Sequence, residues 1–503
     1  MDWDVCRQEF REYHAALAAA RYAAHAGRPL AQPVHAIYER YSELFRRETI
    51  DGLDTEAFYT ATERESAARL RDALRLEYVG AQTRAVKYEL AHYEAATHLL
   101  WQTQRVGSDN FPTILAQTTQ ASARRDLTAR WAERVRGGDD LRAEIRLQQR
   151  QAAQDLGFDG YNELFAAVTG VILANVARAA NGFLQQTESL YRAALANLAP
   201  RLWPDADLEQ LNEGDWLGWY HQPQPHPCFP AHDLLPTYHD FLRGLGWRAG
   251  QQNLHIDNLE RPGKKSETAC FATRPPAEVF ISLTSHGGVS AYRDFFAAVG
   301  RAQHYAHTSN DLATRHPAFV YASDGAINEG YAALFRGFFY DAAWLREHRA
   351  GLGPETARNL ARDEAWRTLA ETRRLCALML WEMQIEAHAD PREENLAASY
   401  SASLTEATGF QHDAAFALAA TMQPLAGVAR WRASLLAAAL GDYLRIRYGR
   451  RWWAARRAGD DLADWWNTGS RYSTEVLAQA VGAGEPSFEL LTETLREVLQ
   501  SKP

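Results

Sequence analysis

The sequence has little cysteine, no long hydrophobic run and no excess of positive charge. Its four cysteines, at positions 6, 228, 270 and 376, form no Cys-x-x-Cys pair, so neither a disulfide framework nor a cysteine-rich metal site is predicted. No stretch of about 18 apolar residues is present, which predicts no membrane span. The acidic start, Met1-Asp2-Trp3-Asp4, is unlike a secretory signal. We therefore expect a cytoplasmic protein.

The net charge of −9 predicts no nucleic-acid partner, because such proteins usually carry a basic excess. One stretch departs from this balance, with Tyr448, Trp452 and Trp453 set among arginines. Arginine beside aromatic rings could grip a polyanion. We favour instead a helix with one face of solvated arginines and another face of buried tryptophans, since local charge runs usually indicate solvation. The arginines are Arg445, Arg447, Arg450, Arg451, Arg456 and Arg457.

Helix-forming residues are abundant. Residues 1–200 are rich in Ala, Leu, Arg, Glu and Gln, which predicts helices almost throughout. Residues 201–290 contain many prolines and are predicted to connect across a cleft, with a strand within 271–284 in a small sheet. Residues 291–503 return to helical periodicity. We predict a mainly α, two-lobed single unit with a deep central cleft and at most a small β-sheet.

Residues 291–307, AYRDFFAAVGRAQHYAH, resemble the zinc-binding helix of the gluzincin-type metallopeptidases, both thimet-oligopeptidase-like and carboxypeptidase-Taq-like. That helix carries an aromatic residue followed by His-Glu-x-Gly-His-Ala-x-His. Weaker likeness at 156–164 and 462–478 extends the resemblance to roughly residues 140–500. It implies the fold of those peptidases. The matching residues of the helix are Phe296, Gly300, Ala302 and His304.

The departures from this motif fall on its chemical positions. Ala297 and Arg301 stand where two histidines would share one zinc, and Ala298 stands where the glutamate would act as general base. Alanine has no lone pair to give, and arginine is a permanent cation without an acceptor atom. We therefore expect no zinc peptidase, no functional metal and no cofactor.

A second helix retains one residue of the resemblance. The segment Ile327-Asn328-Glu329-Gly330-Tyr331-Ala332 is similar to the helix that supplies the third zinc ligand, a glutamate, in those families. Positions 297, 301 and 304 lie within roughly 60° of one another on an α-helix. Because a guanidinium can satisfy a carboxylate with two parallel hydrogen bonds, we predict that Arg301 pairs with Glu329.

The candidate site residues follow from this arrangement. Arg301 is predicted to bind a carboxylate, sulfate or phosphate, and His304 or Glu329 to deprotonate an ammonium group. Tyr472 is a third catalytic candidate, since related peptidases use a late-chain tyrosine to stabilise an oxyanion. The further binding candidates, chosen from expected positions around the cleft, are Tyr292, Asp294, Tyr331 and Arg471.

Three functions of different classes are compatible with these residues. We favour a metal-independent pseudo-peptidase that works as an enzyme on an amino-acid-like small molecule. A concrete case is natural-product biosynthesis, in which an amine closes a small nitrogen ring by displacing an anion such as sulfate. The Ala- and Arg-rich composition suits a high-GC bacterial gene, where such pathways are common.

The second function is a non-catalytic protein that binds peptides or a carrier protein, or that serves as the scaffold subunit of a complex. The third is a peptidase rebuilt on another nucleophile. Cys270, Ser282, Ser285 and His286 lie close in sequence but form no Gly-x-Ser-x-Gly elbow and no paired Cys/His signature. We regard this third function as the weakest of the three.

Overall fold

Helices dominate the protein, as its composition predicts. The computed structural model describes residues 2–53, 58, 60–248, 250–284, 286–349, 351–420 and 423–501, and 69% of it is helical. The helices are α1 (Trp3–His25), α2 (Val34–Arg40), α3 (Arg47–Asp51), α4 (Ala61–Gln82), α5 (Arg84–Ala96), α6 (Phe111–Gln117), α7 (Ala121–Arg136), α8 (Asp139–Asp155), α9 (Tyr161–Thr169), α10 (Leu173–Leu202), α11 (Glu213–Tyr220), α12 (Leu234–Gly244), α13 (Val289–His307), α14 (Asn310–Arg315), α15 (Ala318–Tyr321), α16 (Ala326–Arg336), α17 (Ala342–His348), α18 (Pro354–Ala387), α19 (Glu394–Thr408), α20 (Ala426–Tyr448), α21 (Arg456–Asn467), α22 (Thr474–Ala480) and α23 (Phe488–Leu499).

The chain divides into two compact units, and neither is continuous in sequence. The first unit comprises Met1–Arg75, Gln224–Ala365 and Ala429–Pro503, and the second comprises Leu76–Pro223 and Trp366–Val428. Each unit therefore contains residues from all three segments predicted from the sequence, 1–200, 201–290 and 291–503. Among the described residues no single helix is long and apolar enough to cross a membrane. The bent pair α9 and α10 passes that test only when its two helices are taken together.

Two small sheets accompany the helices. In the second unit, β1 (His98–Trp101) and β2 (Gln104–Gly107) form an antiparallel hairpin. In the first unit the strand order is β3-β5-β4, with β3 (Leu254–Asp257) parallel to β5 (Glu278–Ser282) and β4 (Ala269–Arg274) antiparallel to it.

Two sequence-based expectations about strands need correction. The strand expected within 271–284 is in fact the pair β4 and β5, because Pro275 and Pro276 lie between them and proline cannot donate to a ladder. The β1–β2 hairpin falls in the part expected to be almost entirely helical. Four-residue strands are too short for their alternation to stand out from helical periodicity.

The arginine-rich stretch behaves as its composition predicts. Trp452 and Trp453 are buried, whereas the side chains of Arg450 and Arg451 are 90% and 65% exposed. Arg451 pairs with Glu347 at 2.6 Å. A solvated arginine face over buried tryptophans is therefore confirmed.

Helix α13 is buried on nearly all sides within the core of the first unit. Phe295, Phe296 and Val299 are fully buried, as expected of a helix that is apolar all round. It meets α16 closely at Gly300, where an added Cβ would lie 2.3 Å from the carbonyl oxygen of Tyr331. Only glycine allows the two backbones to come this close, and their approach sets the geometry of the residues around Gly300.

We expect Gly300→Ala to lower the free energy of unfolding by about 2 kcal/mol, because overpacking at rigid backbone exceeds the gain in helix propensity. Urea denaturation followed by circular dichroism measures this change. Gly441→Ala in α20 is the matched control, since its Cβ would make an ordinary 3.5 Å contact with Leu334. The control should be neutral or stabilising. Equal effects from the two variants would contradict the close-approach argument.

Candidate functional site

Arg301 and Glu329 form a bidentate ion pair between α13 and α16. The Nε and Nη2 groups of Arg301 donate to the two carboxylate oxygens of Glu329, each at 2.7 Å. The predicted contact is thereby confirmed. The Arg301 side chain is 25% exposed and the Glu329 side chain 34%, so both ends of the pair remain in contact with solvent.

The charges around this pair favour the ionised carboxylate. Burial acts to raise the pKa of Glu329, but hydrogen bonds and charge from Arg301, with further charge from Arg336 and Arg430, outweigh it and lower the pKa. Burial acts to lower the pKa of Arg301, but the hydrogen bonds and the charge of Glu329 outweigh burial, so the pKa of Arg301 is raised. Glu329 is therefore an anion and Arg301 a cation at neutral pH, in surroundings with additional positive charge.

His304 lies one helical turn from Arg301 but is only 1% exposed. The amide of Asn328 donates to its Nδ1 at 3.1 Å and to the Arg301 carbonyl oxygen at 3.2 Å. Burial lowers the pKa of His304 to about 4, with partial opposition from the Gly469 backbone. His304 is therefore a neutral interior group, and Asn328 ties it to the backbone beneath Arg301.

Two of the candidate tyrosines are also interior residues. Tyr331 is fully buried, its ring centroid 5.2 Å from that of His304, and burial raises its pKa. Tyr292 is fully buried as well, and its hydroxyl donates to the Pro230 carbonyl at 2.7 Å. Packing thus accounts for both positions, and their assignment as substrate-binding groups stays a prediction.

The other candidates have their own partners. Arg471 pairs with Glu65 at 3.2 Å and donates to the Thr62 hydroxyl at the same distance. Tyr472 is half-buried and packs against the core of the first unit. The half-exposed Asp294 carboxylate pairs with Arg293 at 3.1 Å. None of these contacts involves Arg301 or Glu329.

Sequence reasoning weighed Cys270 only as a nucleophile and did not consider Tyr305. It placed neither residue near the pair, although the pKa values of both respond to the charges of the pair. Burial raises the pKa of Cys270 to about 12, with Arg301 opposing and Glu329 adding to the effect. Burial also raises the pKa of Tyr305. Tyr305 could have been found, because it lies four residues after Arg301 on the same helix face. Cys270 could not, since only the packing of the sheet brings it near.

A neutral thiol is a weak nucleophile, so the state of Cys270 gives no support to a peptidase rebuilt on cysteine. Ser282 is fully buried within β5. Ser285 lies outside the described residues.

The residues at this position do not fit a zinc ion. Ala297 offers no ligand, Arg301 brings a cation already bound to Glu329, and His304 has its Nδ1 engaged by Asn328. Within the described ranges, no group of three or more His, Cys, Asp or Glu side chains could hold a metal ion. A zinc site needs at least three protein ligands.

We expect acid to destabilise the protein partly through His304. Its pKa falls from 6.5 to about 4 on folding, so its contribution is present above pH 6.5 and is lost as the pH falls toward 4, by about 3 kcal/mol in total. Urea denaturation across this range should show a shallower pH slope for His304→Gln than for the wild type. His232→Gln, at an 82% exposed side chain, is the control that should keep the wild-type slope. An unchanged slope for His304→Gln would refute the burial argument.

No protein-family description matches the sequence, and no curated protein matches it. The structure is similar to the crystal structure of a protein assigned as an oligoendopeptidase F from Bacillus anthracis str. Ames. The TM-score is 0.61 at 13% identity, over 99% of this chain and 82% of that one. This likeness shows the fold alone, which is a mainly helical, metallopeptidase-like fold.

Proposed function

We propose that the protein is a metal-independent enzyme that acts on an amino-acid-like small molecule at the Arg301–Glu329 pair. The main support for this proposal is the bidentate contact at 2.7 Å between the Arg301 guanidinium and the Glu329 carboxylate. Both groups remain partly exposed. In a fold shared with a peptidase-like protein, this pair occupies the helices that the sequence resemblance connects with zinc binding.

The pair suits a substrate that carries both an anion and an amine. Glu329 uses only two of the N–H groups of Arg301, and the remaining N–H groups are available to a carboxylate or sulfate. The Glu329 carboxylate can in turn accept a hydrogen bond from an ammonium group. Arg336 and Arg430 add positive charge, which favours the anionic end of such a substrate.

Binding of the anion would also activate the base. An anion on Arg301 competes with Glu329 for the guanidinium, and weaker pairing raises the pKa of Glu329, because its hydrogen bonds to Arg301 are what hold that pKa down. The carboxylate then becomes a better acceptor for the ammonium proton. The freed amine attacks the carbon bearing the sulfate ester, and the C–O bond breaks. The sulfate leaves with the electron pair of that bond and is bound by Arg301. The product is a small nitrogen ring in its protonated form, and the proton taken from the ammonium group stays on Glu329.

The burial of His304, Tyr331 and Tyr292 favours a second candidate, a non-catalytic protein that binds peptides or a carrier protein or that supports a complex. Because these three side chains are buried, few groups near the pair are available to transfer protons to or from a substrate. Binding of a zwitterion without turnover would indicate this function.

Metal independence is tested by elemental analysis after incubation with zinc and removal of excess. We expect the wild type to retain less than about a tenth of an equivalent, since catalytic zinc requires three protein ligands. The double variant Ala297→His with Arg301→His supplies two imidazoles opposite Glu329 and should retain more zinc than the wild type, provided circular dichroism shows that it folds. One tightly held zinc per wild-type chain would overturn the proposal.

The chemistry is tested with 2-aminoethyl hydrogen sulfate and L-serine O-sulfate as probes, with released sulfate measured by ion chromatography. Glu329→Gln should lower the rate about 100-fold by removing the base, and Arg301→Ala should lower it by weakening anion binding. Arg315→Ala, which removes an exposed arginine paired with Asp311, is the control and should keep the wild-type rate. Loss of the fold in both site variants would make the pair merely structural.

A further inference from the structure

A cavity of about 350 Å³ lies within the first unit, away from the Arg301–Glu329 pair. Parts of α16, α17, α18, α20 and α23 form its walls, together with the segment between α16 and α17 and the Trp452–Trp453 turn. Its volume lies within the roughly 300–1,000 Å³ typical of small-molecule sites. The apolar lining is formed mainly by Leu334, Phe338, Ala437, Trp452, Trp453 and Val498.

Small residues on α20 keep this space open. Ala437, Ala438 and Gly441 all line it. A Cβ at Gly441 would make only an ordinary 3.5 Å contact with Leu334, so close packing does not require glycine there. Glycine inside a helix costs about 1 kcal/mol relative to alanine. Close packing therefore does not explain the glycine at position 441, whose missing side chain leaves this wall of the cavity open.

The polar lining is mainly cationic. Arg358, Arg445 and Arg450 reach the cavity, and Arg358 has no ion pair with any described residue. Arg445 is 3.5 Å from Asp442, and Arg450 is 3.9 Å from Glu497 in an exposed contact. Such exposed pairs contribute little and are easily exchanged.

The acidic residue Asp341 also lines the cavity but is engaged elsewhere. Its carboxylate caps α17 by accepting from the backbone N–H groups of Ala343 at 2.8 Å and Trp344 at 3.1 Å. The other acidic lining residue, Glu497, is the exposed partner of Arg450. The arginines therefore outnumber the carboxylates, and a single anionic group would find donors there.

We propose that this cavity binds a small amphipathic carboxylate, whose aromatic or aliphatic body packs among Phe338, Trp452 and Trp453 and whose carboxylate pairs with Arg358. Two arginines of the aromatic-interleaved stretch, Arg445 and Arg450, border the site. A polyanion would need an open groove, whereas this cavity has room for one small molecule. The inference is independent of the proposed function, because no residue of the Arg301–Glu329 pair lines the cavity.

The test is isothermal titration calorimetry, which measures how tightly the full chain binds 4-phenylbutyrate and its neutral analogue 4-phenyl-1-butanol. We expect one site per chain that binds the carboxylate about 10-fold more tightly than the alcohol, since a hydrogen bond to a charged group is worth that much. Arg358→Gln should remove this preference, and Ala438→Leu, which fills part of the cavity, should weaken both ligands.

Two controls separate this site from the rest of the protein. Arg447→Gln removes a charge from α20 at a position that does not line the cavity and should leave affinity unchanged. Arg301→Ala should do the same, so that failure of the proposed enzyme chemistry leaves this result standing. Equal affinity for the acid and the alcohol, no saturable binding, or unchanged binding in both Arg358→Gln and Ala438→Leu would overturn the proposal.

Discussion

The contact on which the candidate site depends is the close approach of α13 to α16 at Gly300. A Cβ at position 300 would lie 2.3 Å from the Tyr331 carbonyl oxygen, so the helices are too close for any residue but glycine there. This spacing lets Asn328 reach both the Arg301 carbonyl and His304, and it lets Arg301 meet Glu329 along its full guanidinium edge. A larger residue at Gly300 would separate all three contacts at once.

A guanidinium in this position changes what the site can do. A zinc ion would carry two positive charges and accept lone pairs, whereas Arg301 carries one charge and only donates hydrogen bonds. It can hold an anion and orient it, but it cannot polarise a carbonyl or activate water as a Lewis acid does. The chemistry open to the pair is therefore proton transfer and anion binding.

Much of this arrangement could be predicted from the sequence, because it depends on helical periodicity. The spacing of Arg301 and His304 placed them on one face, and the likeness of the segment around Glu329 to a ligand-bearing helix placed the carboxylate opposite. Burial was harder to predict. His304 and Tyr331 lie on helices that are buried on nearly all sides, and no local pattern separates a core histidine from one that faces a ligand.

The contribution of long-range packing could not be predicted at all. Cys270 reaches the pair only because β4 folds back on β5, and Arg430 comes from a helix about 100 residues later in the chain than Glu329. The same holds for the cavity beside α20, whose walls come from five helices. Alternation and periodicity describe single elements, whereas these neighbours are set by how the elements meet.

The pairing of Arg301 with Glu329 has a physical reason. Without Arg301, the partly buried Glu329 carboxylate would keep the Cys270 thiol and the Tyr305 phenol as neighbours, whose pKa values its charge raises. Removing one partner of such a pair is costly. Arginine at position 301 supplies the charge balance that this glutamate needs, so the two residues depend on each other. The same requirement limits the site, because any anion that draws Arg301 away must also stabilise or protonate Glu329. A substrate that brings its own ammonium group with its anion meets both conditions, whereas a simple anion meets only one.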